Sequence, residues 1–226
     1  MKKITLITLI HLVFVAISFG QNDNGRVSYD VFVSSDDPQV QAYISNMEGS
    51  MLELYFHDGK VKSEFFMGEF MTRTTIDQKG NDTTLMLIDG MMGRIATKIT
   101  DDDLSDEQKL AKAKIDVELV EGSKEIMGYD CKKAIITGED DNETIVWYTT
   151  DIVPAYRKGQ YLHEDIPGVP LEMNSAWGKM DLQFVAFEYK KKLKKLEKLF
   201  STEVPSGYVL KTAKEMEEMR KRGGQR

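Results

Sequence analysis

The 226-residue sequence is poor in the residues that most often perform covalent and acid–base catalysis. It has one cysteine and three histidines, and it lacks the common nucleophile-elbow, zinc-protease and phosphate-loop motifs. A single cysteine also excludes a disulfide within the chain, so packing and hydrogen bonds must hold the fold together. These absences predict a protein that is not an enzyme and that uses no cofactor.

Net positive charge is lacking as well. The formal net charge is -7, and it becomes more negative if Lys2 and Lys3 are removed with the N-terminal segment. Nucleic-acid binding relies on basic surfaces that displace the counterions of the phosphate backbone. The composition therefore argues against a nucleic-acid partner.

The longest apolar segment, residues 4–19, follows a positively charged start. Ser18 and Gly20 are small residues that suit a signal peptidase, and the segment is shorter than the roughly 20 residues that cross a bilayer comfortably. We therefore predict a signal peptide over residues 1–20, cleaved before Gln21, and a periplasmic or secreted product without a transmembrane segment. A retained anchor or a short apolar first strand is the alternative.

Short segments of alternating apolar side chains follow one another along residues 21–226, which we predict to form a single domain. Turn-forming residues separate them, as at residues 57–60, where Gly59 can adopt a positive φ. The predicted strands cover residues 26–33, 51–56, 61–67, 70–77, 83–88, 94–99, 115–120, 132–137, 144–149, 170–174 and 179–189. This spacing predicts a mainly β domain with an antiparallel sheet rather than alternating β–α–β units.

The alternation also indicates which faces of the sheet are apolar. Leu52, Leu54 and Phe56 share one side of their strand, whereas Phe65 and Phe66 place apolar side chains on both sides of the next. A sheet with one apolar face and one partly apolar face must be covered on both sides, at least in patches.

Three segments break the strand pattern, at residues 101–114, 151–169 and 212–222. The first is predicted to be a short helix that faces solvent, with Asp102 or Asp103 as its N-cap. The second, which is rich in aromatic residues and contains prolines, is predicted to pass over one end of the sheet. The third is predicted to be a C-terminal helix, because Thr212 and Glu215 have the spacing of a capping box.

Thirteen methionines are present, many of them in predicted strands. Methionine is flexible and polarisable, so it suits adaptable apolar surfaces, although it also fills gaps in ordinary cores. Together with the apolar residues on both strand faces, this favours a groove for an apolar or amphipathic ligand. The predicted lining consists of Phe65, Met71, Met86, Trp147, Met173 and Phe184.

Residues that could bind a metal or act as a nucleophile have simpler explanations. The acidic clusters at residues 101–103 and 139–143 lack the alternating spacing of a calcium-binding loop, so no metal site is predicted. Cys131 lies in an alternating strand and is predicted to pack there, and His57 is predicted to be a solvated turn residue.

One strongly basic segment, K-K-K-L-K-K-L-E-K at residues 190–198, stands out in an acidic chain. It could contact anionic lipid headgroups or an envelope protein. The residues predicted for this contact are Lys190, Lys191, Lys192, Lys194 and Lys195. The alternative is an edge strand or protruding hairpin that its lysines keep soluble.

Several sequence motifs resemble the GLPGLI family of exported proteins, common in Bacteroidota, and its sister domain family. They are G-Y-D-C-K-K-A at 128–134, V-W-Y-T-T-D-I at 146–152, I-P-G-V-P-L-E at 166–172 and V-P-S-G-Y at 204–208. The I-P-G-V-P form departs from L-P-G-L-I and favours the sister family. Both families are similar to the LolA-like superfamily of lipoprotein carriers. The resemblance implies a curved antiparallel sheet, a LolA-like half-barrel with an apolar concave side that a helix or loop partly covers, and it brings no catalytic residues.

Two functions follow as expectations. The first is non-catalytic binding of a lipid, acyl chain or lipoprotein in the half-barrel. The second is a structural or envelope-interaction role without a ligand cavity, in which the basic segment and the C-terminal helix contact a membrane or a partner protein.

Overall fold

The computed structural model describes residues 23–91, 93–139 and 142–223. The predicted signal peptide and its cleavage site lie outside this part of the chain. The strands are β1 (Gly25–Ser34), β2 (Met51–His57), β3 (Lys60–Met67), β4 (Met71–Gln78), β5 (Thr84–Gly90), β6 (Gly93–Ile99), β7 (Asp116–Ile126), β8 (Tyr129–Thr137), β9 (Glu143–Thr149), β10 (Val169–Trp177), β11 (Met180–Lys190) and β12 (Val209–Lys211). The α-helices are α1 (Pro38–Ile44), α2 (Asp106–Ala113), α3 (Leu196–Leu199) and α4 (Ala213–Gly223).

All twelve strands form one sheet in the order β12-β6-β5-β4-β3-β2-β1-β11-β10-β9-β8-β7. Two antiparallel meanders, β1 to β6 and β7 to β11, are joined where β1 pairs with β11. The short β12 is added to β6 in parallel. The predicted mainly β fold and its antiparallel character are therefore confirmed.

The connection between β6 and β7 requires the sheet to curve. These strands are ten positions apart in the sheet, which corresponds to roughly 48 Å in a flat sheet at about 4.8 Å per strand. The eight residues of α2 span only about 12 Å, and the other residues of the connection add at most roughly 28 Å. Because the connection is too short for a flat sheet, the two ends of the open sheet must bend towards each other.

The main core lies on the concave side of the sheet, here called the inner face. It contains Leu52, Leu54 and Phe56, as the alternation predicts. Tyr29 lies on the same face of β1, and its hydroxyl donates to the carbonyl of Pro170, 2.7 Å away. Since side chains alternate along each strand, the residues between these belong to the convex side, here called the outer face.

Residues 150–168, here called the covering loop, lie over the inner face, whereas the sequence predicts only that residues 151–169 pass over one end of the sheet. Ile152, Tyr161, Leu162 and Ile166 of this loop are buried in the main core. By contrast, none of the residues of α2 is buried, which agrees with the prediction that this helix faces solvent. Its N-cap is Ser105 rather than the predicted aspartates, because the helix starts later than expected.

Residues 191–208, here called the outer strap, run from the end of β11 to β12 and cover part of the outer face. Val204 and Tyr208 of the strap pack against a second buried cluster. That cluster consists of Ile76, Leu85, Leu87 and Ala96. Nearer the start of the strap, Phe200 is buried, and its ring centroid lies 6.4 Å from that of His57. The partly apolar second face is therefore covered over β4, β5 and β6.

Most predicted elements are present, with strands β7, β8 and β10 longer than expected. The C-terminal helix begins at Ala213, directly after Thr212, and Thr212 and Glu215 exchange the hydrogen bonds of the predicted capping box. Helices α1 and α3 and strand β12 were not predicted. Within the described residues, no helix has the length and apolar content needed to cross a membrane.

Candidate functional site

A cavity of about 460 Å³ lies between the covering loop and the inner face of the sheet. Its walls come from both meanders: β3 and β4 on one side, and β8, β9, β10 and β11 on the other. Apolar side chains dominate the walls. They are Phe65, Met71, Ile115, Ile136, Val146, Leu162, Ile166, Pro170, Met173, Ala176, Leu182 and Phe184. A single cavity built from distant segments is a consequence of the curvature, which brings the two meanders to face each other.

Four of the six residues predicted to line a groove meet at this cavity. They are Phe65, Met71, Met173 and Phe184. The pairing of the strands explains why: Met173 is opposite Phe184, and Met67, two residues after Phe65 on the same face, is opposite Met71.

The other two predicted residues lie elsewhere. Met86 pairs with Thr75 and belongs to the inner face, but it lies on β5, outside the cavity wall. Trp147 lies between the buried residues Val146 and Tyr148 and therefore points to the outer face, where Lys124 Nζ is 5.7 Å from its ring centroid. Neither residue lines the cavity.

Three aromatic rings form one side of the cavity. The ring of Phe184 lies 6.1 Å from that of Phe65 and 5.6 Å from that of Tyr161, both in tilted arrangements. Such geometry stabilises aromatic pairs beyond the area they bury. Because Tyr161 belongs to the covering loop, this contact attaches the loop to β3 and β11.

The cationic part of the wall lies where the covering loop meets β4, while Thr144 and Ser175 add uncharged polar groups on β9 and β10. Arg73 donates hydrogen bonds to the side-chain oxygen of Gln160 and to the hydroxyl of Tyr161, the latter at 3.3 Å. Burial raises the pKa of Tyr161, so its phenol is neutral at physiological pH. Arg73 is not among the predicted lining residues, although its place in an alternating strand, two residues after Met71, indicates that it shares the face of Met71.

The predicted basic contact residues are all exposed. Lys190 ends β11 and forms an ion pair with Glu188 at 2.9 Å, and the other four precede α3 in the outer strap. They are Lys191, Lys192, Lys194 and Lys195. The edge-strand alternative is wrong, because β11 is paired on both sides and the chain leaves the sheet after Lys190.

Cys131 and His57, the two residues considered for nucleophilic chemistry, both pack against other side chains. Cys131 is buried, and its burial raises the pKa of the thiol to about 11, so the reactive thiolate is scarce at neutral pH. His57 packs beside Phe200 rather than facing only solvent. Across residues 23–91, 93–139 and 142–223, no cluster of three or more His, Cys, Asp or Glu side chains could hold a metal ion.

Comparisons with known proteins give structural likenesses only. No protein-family model matches the sequence, and no curated protein matches it. Among solved structures, PNGF-II is similar, with 16% identity over 86% of this chain and a TM-score of 0.51. This chain spans about a third of the length of PNGF-II, since the match covers 33% of it.

The similar structures also include a LolA superfamily protein and MucB. The LolA superfamily protein NE2245 from Nitrosomonas europaea is 8% identical, with 80% of this chain and 90% of that protein covered and a TM-score of 0.32. MucB is 14% identical, with 84% and 61% covered and a TM-score of 0.40. At 16% identity, the likeness to PNGF-II concerns the fold alone.

Proposed function

We propose that this protein is a non-catalytic carrier or binding protein that holds an apolar or amphipathic ligand in its half-barrel. The observation that carries the proposal is the apolar cavity of about 460 Å³ between the covering loop and the inner face. Ligand pockets usually measure about 300–1,000 Å³ and combine apolar walls with a few polar groups, and this cavity has both properties. A lipid, a single acyl chain or the acyl part of a lipoprotein has the matching chemistry.

The packing around the cavity supports a binding role over a simple packing defect. Well-packed cores rarely contain voids much larger than a water molecule, because each void loses contacts. Here Phe65, Tyr161 and Phe184 surround a space that their own side chains do not fill. A ligand would restore the missing apolar contacts.

A cavity-filling variant tests this proposal. Ser175 lies on the cavity wall, so Ser175→Trp should weaken binding of a neutral fluorophore such as N-phenyl-1-naphthylamine at least tenfold. Gln183→Trp is the matched control, because this exposed residue of β11 lies on the outer face and should leave binding unchanged. Native mass spectrometry of protein purified from its own host should also show a bound lipid. Exclusively ligand-free protein, together with no fluorophore binding, would contradict the proposal.

The location and extent of the functional unit are part of the same proposal. We infer that residues 1–20 direct export to the periplasm or beyond, and that residues 21–226 act as one domain. Membership in the sister family of GLPGLI proteins is inferred from the motifs at 128–134, 146–152 and 166–172. Each of the three motifs contributes residues to a strand of the continuous sheet, which supports this assignment. N-terminal sequencing of the exported protein should begin at Gln21.

A second candidate function is contact with an envelope partner or an anionic membrane. It is favoured by the exposure of Lys191, Lys192, Lys194 and Lys195 on the outer strap. Each lysine near an anionic membrane contributes roughly 1 kcal/mol. Replacing these four residues with glutamine should abolish salt-sensitive co-sedimentation with phosphatidylglycerol vesicles. Equal sedimentation of the wild type and the glutamine variant would show that these four lysines do not bind the membrane.

A further inference from the structure

Arg73 supplies a permanent cation at one place on the cavity wall, whereas the polar side chains of Thr144 and Ser175 on the other meander are uncharged. Arg73, Gln160 and Tyr161 lie together where β4 meets the covering loop. Phe184 and Met173 lie on β11 and β10, which belong to the other meander. The cavity therefore has a cationic region next to an apolar one, which is the chemical pattern of an amphiphile with one head and one tail.

The charge of Arg73 has no carboxylate partner in the described part of the chain. Its two hydrogen-bond acceptors, the Gln160 amide oxygen and the Tyr161 hydroxyl, are both neutral. Ion pairs do neutralise other arginines in the sheet: Arg26 binds Glu53 and Glu188. Because Arg73 is half-buried beside the apolar cavity, an anionic group bound there would gain a charge-assisted hydrogen bond that the neutral acceptors do not supply.

The Arg73 guanidinium also has N–H donors beyond those used in its two hydrogen bonds. An arginine side chain carries five N–H donors in a planar fork that matches the two oxygens of a carboxylate or phosphate. The two neutral acceptors engage only part of this fork. Such charge-assisted bonds are about twice as strong as bonds between neutral groups, so Arg73 favours an anion over an alcohol or an amine.

We propose that the natural ligand is a single-chain amphiphile with an anionic headgroup, bound with its headgroup at Arg73 and its chain against Phe65, Met173 and Phe184. This inference rests on the proposed binding function and narrows the class of ligand. The cavity volume of about 460 Å³ lies in the lower part of the usual range for one small ligand, so one chain fits better than several. Arg73 is thus a specificity-determining residue.

Four dodecyl compounds separate headgroup recognition from chain binding. Dodecanoate and dodecyl phosphate carry anions, dodecanol is neutral and dodecyltrimethylammonium is cationic. Each is used to displace N-phenyl-1-naphthylamine, a neutral fluorophore, from the delipidated mature protein. Both anions are expected to bind at least tenfold more tightly than the cation, and the ratio between the two anions distinguishes a carboxylate from a phosphate ligand.

The variant Arg73→Gln is expected to weaken dodecanoate binding by about 10- to 100-fold, the range for losing a hydrogen bond to a charged group. Binding of dodecanol should change by less than threefold, because the chain contacts remain. Arg73→Lys keeps the charge but loses the planar fork of donors. Its affinity for dodecanoate should therefore lie between those of the wild type and Arg73→Gln. Arg94→Gln is the matched control: Arg94 is bound to Asp89 at 2.8 Å and lies outside the cavity wall, so its loss should leave both affinities unchanged.

The outcomes distinguish this inference from the function on which it rests. If the fluorophore does not bind the wild-type protein at all, the cavity-binding function fails. If dodecanol and dodecanoate bind but Arg73→Gln weakens them equally, the cavity function stands and headgroup recognition is overturned. Equal binding of the cation and the anions by the wild-type protein overturns it as well, even if the Arg73 variants do not fold.

Discussion

The covering loop and the outer strap perform the same task on opposite faces of one sheet, with different results. The loop buries Ile152, Tyr161, Leu162 and Ile166 and still leaves a cavity beneath it. The strap packs Val204 and Tyr208 directly against a cluster of buried side chains. Both faces needed a cover because both carry apolar residues, but only the loop combines its cover with an unfilled space and an arginine. The comparison therefore assigns stability to the outer strap and, under the proposed function, binding to the covering loop.

The strongest test of this division is Phe200→Ala in the outer strap. Phe200 is 5% exposed, and removing a buried phenylalanine side chain costs about 3–5 kcal/mol of unfolding free energy. Phe32→Ala is the control, because Phe32 is 56% exposed on the outer face and its loss should cost no more than about 0.5 kcal/mol. Urea unfolding followed by circular dichroism measures both values.

The same variant must leave the binding site intact if the two covers are independent. Folded Phe200→Ala protein should bind the neutral fluorophore as the wild type does, since Phe200 contacts His57 on the outer side of the sheet. A folded variant that has lost binding would show that the strap shapes the cavity, and the division would be wrong.

The second test concerns the attachment of the covering loop to β9. Gly168 lies so close to the backbone of Thr149 that an added Cβ would be 1.9 Å from its carbonyl oxygen. Gly168→Ala therefore forces the end of the loop away from the sheet and should destabilise the protein by about 1–3 kcal/mol. In contrast to Phe200→Ala, it should also weaken fluorophore binding, because Ile166 on the cavity wall lies two residues away.

Gly138→Ala is a suitable control for this test. The nearest atom to its added Cβ is 3.9 Å away, which is an ordinary contact, so stability and binding should remain close to the wild type. If Gly168→Ala loses stability but binds the fluorophore as the wild type does, the end of the covering loop does not shape the cavity.

The sequence was sufficient for the fold but only partly for the site. Alternation identifies Leu52, Leu54 and Phe56 as buried, because each strand pattern is local and has a period of two. Trp147 shows the limit: the alternation places it opposite Val146 and Tyr148, but only the assembled sheet shows which of the two faces borders the cavity. Met86 does lie on the inner face, as a lining residue must, but its strand β5 is too far from the cavity. That distance depends on the order of the strands in the sheet, which alternation does not predict.

The covering loop and the outer strap could be predicted least well. Both are irregular, so no periodic pattern indicates which residues are buried, and Phe200 and Tyr161 become core residues only through contacts distant in sequence. For the same reason the partners of Arg73 in the covering loop had no sequence signal. Most of the buried residues and contacts that the sequence does not predict therefore lie in the covering loop and the outer strap rather than in the strands.

The smallest predicted effect is a pH dependence at the contact between the covering loop and β4. Asp77 is half-buried, with its carboxylate 3.5 Å from the position that a Cβ on Gly159 would occupy. Burial raises the pKa of Asp77, and the hydrogen bond from Thr84 only partly opposes this. The native state therefore binds a proton more tightly than the unfolded chain does, so this group favours folding below its ordinary pKa of about 3.9 and loses that contribution as the pH rises through the raised native value.

Replacing the Asp77 carboxylate with a neutral amide should restore the stability that the folded protein loses as Asp77 ionises. Asp77→Asn keeps an acceptor for Thr84 and is expected to increase the Tm at pH 7 by about 1–3 °C, given that 1 kcal/mol corresponds to roughly 2–4 °C in a domain of this size. Below about pH 3.5 the two proteins should unfold at the same temperature, because Asp77 is then protonated in both states. Asp30→Asn, at an exposed residue of the outer face, controls for the loss of one negative charge. A lower Tm for Asp77→Asn at pH 7 would mean that the carboxylate stabilises the covering loop rather than being an unfavourable charge beneath it.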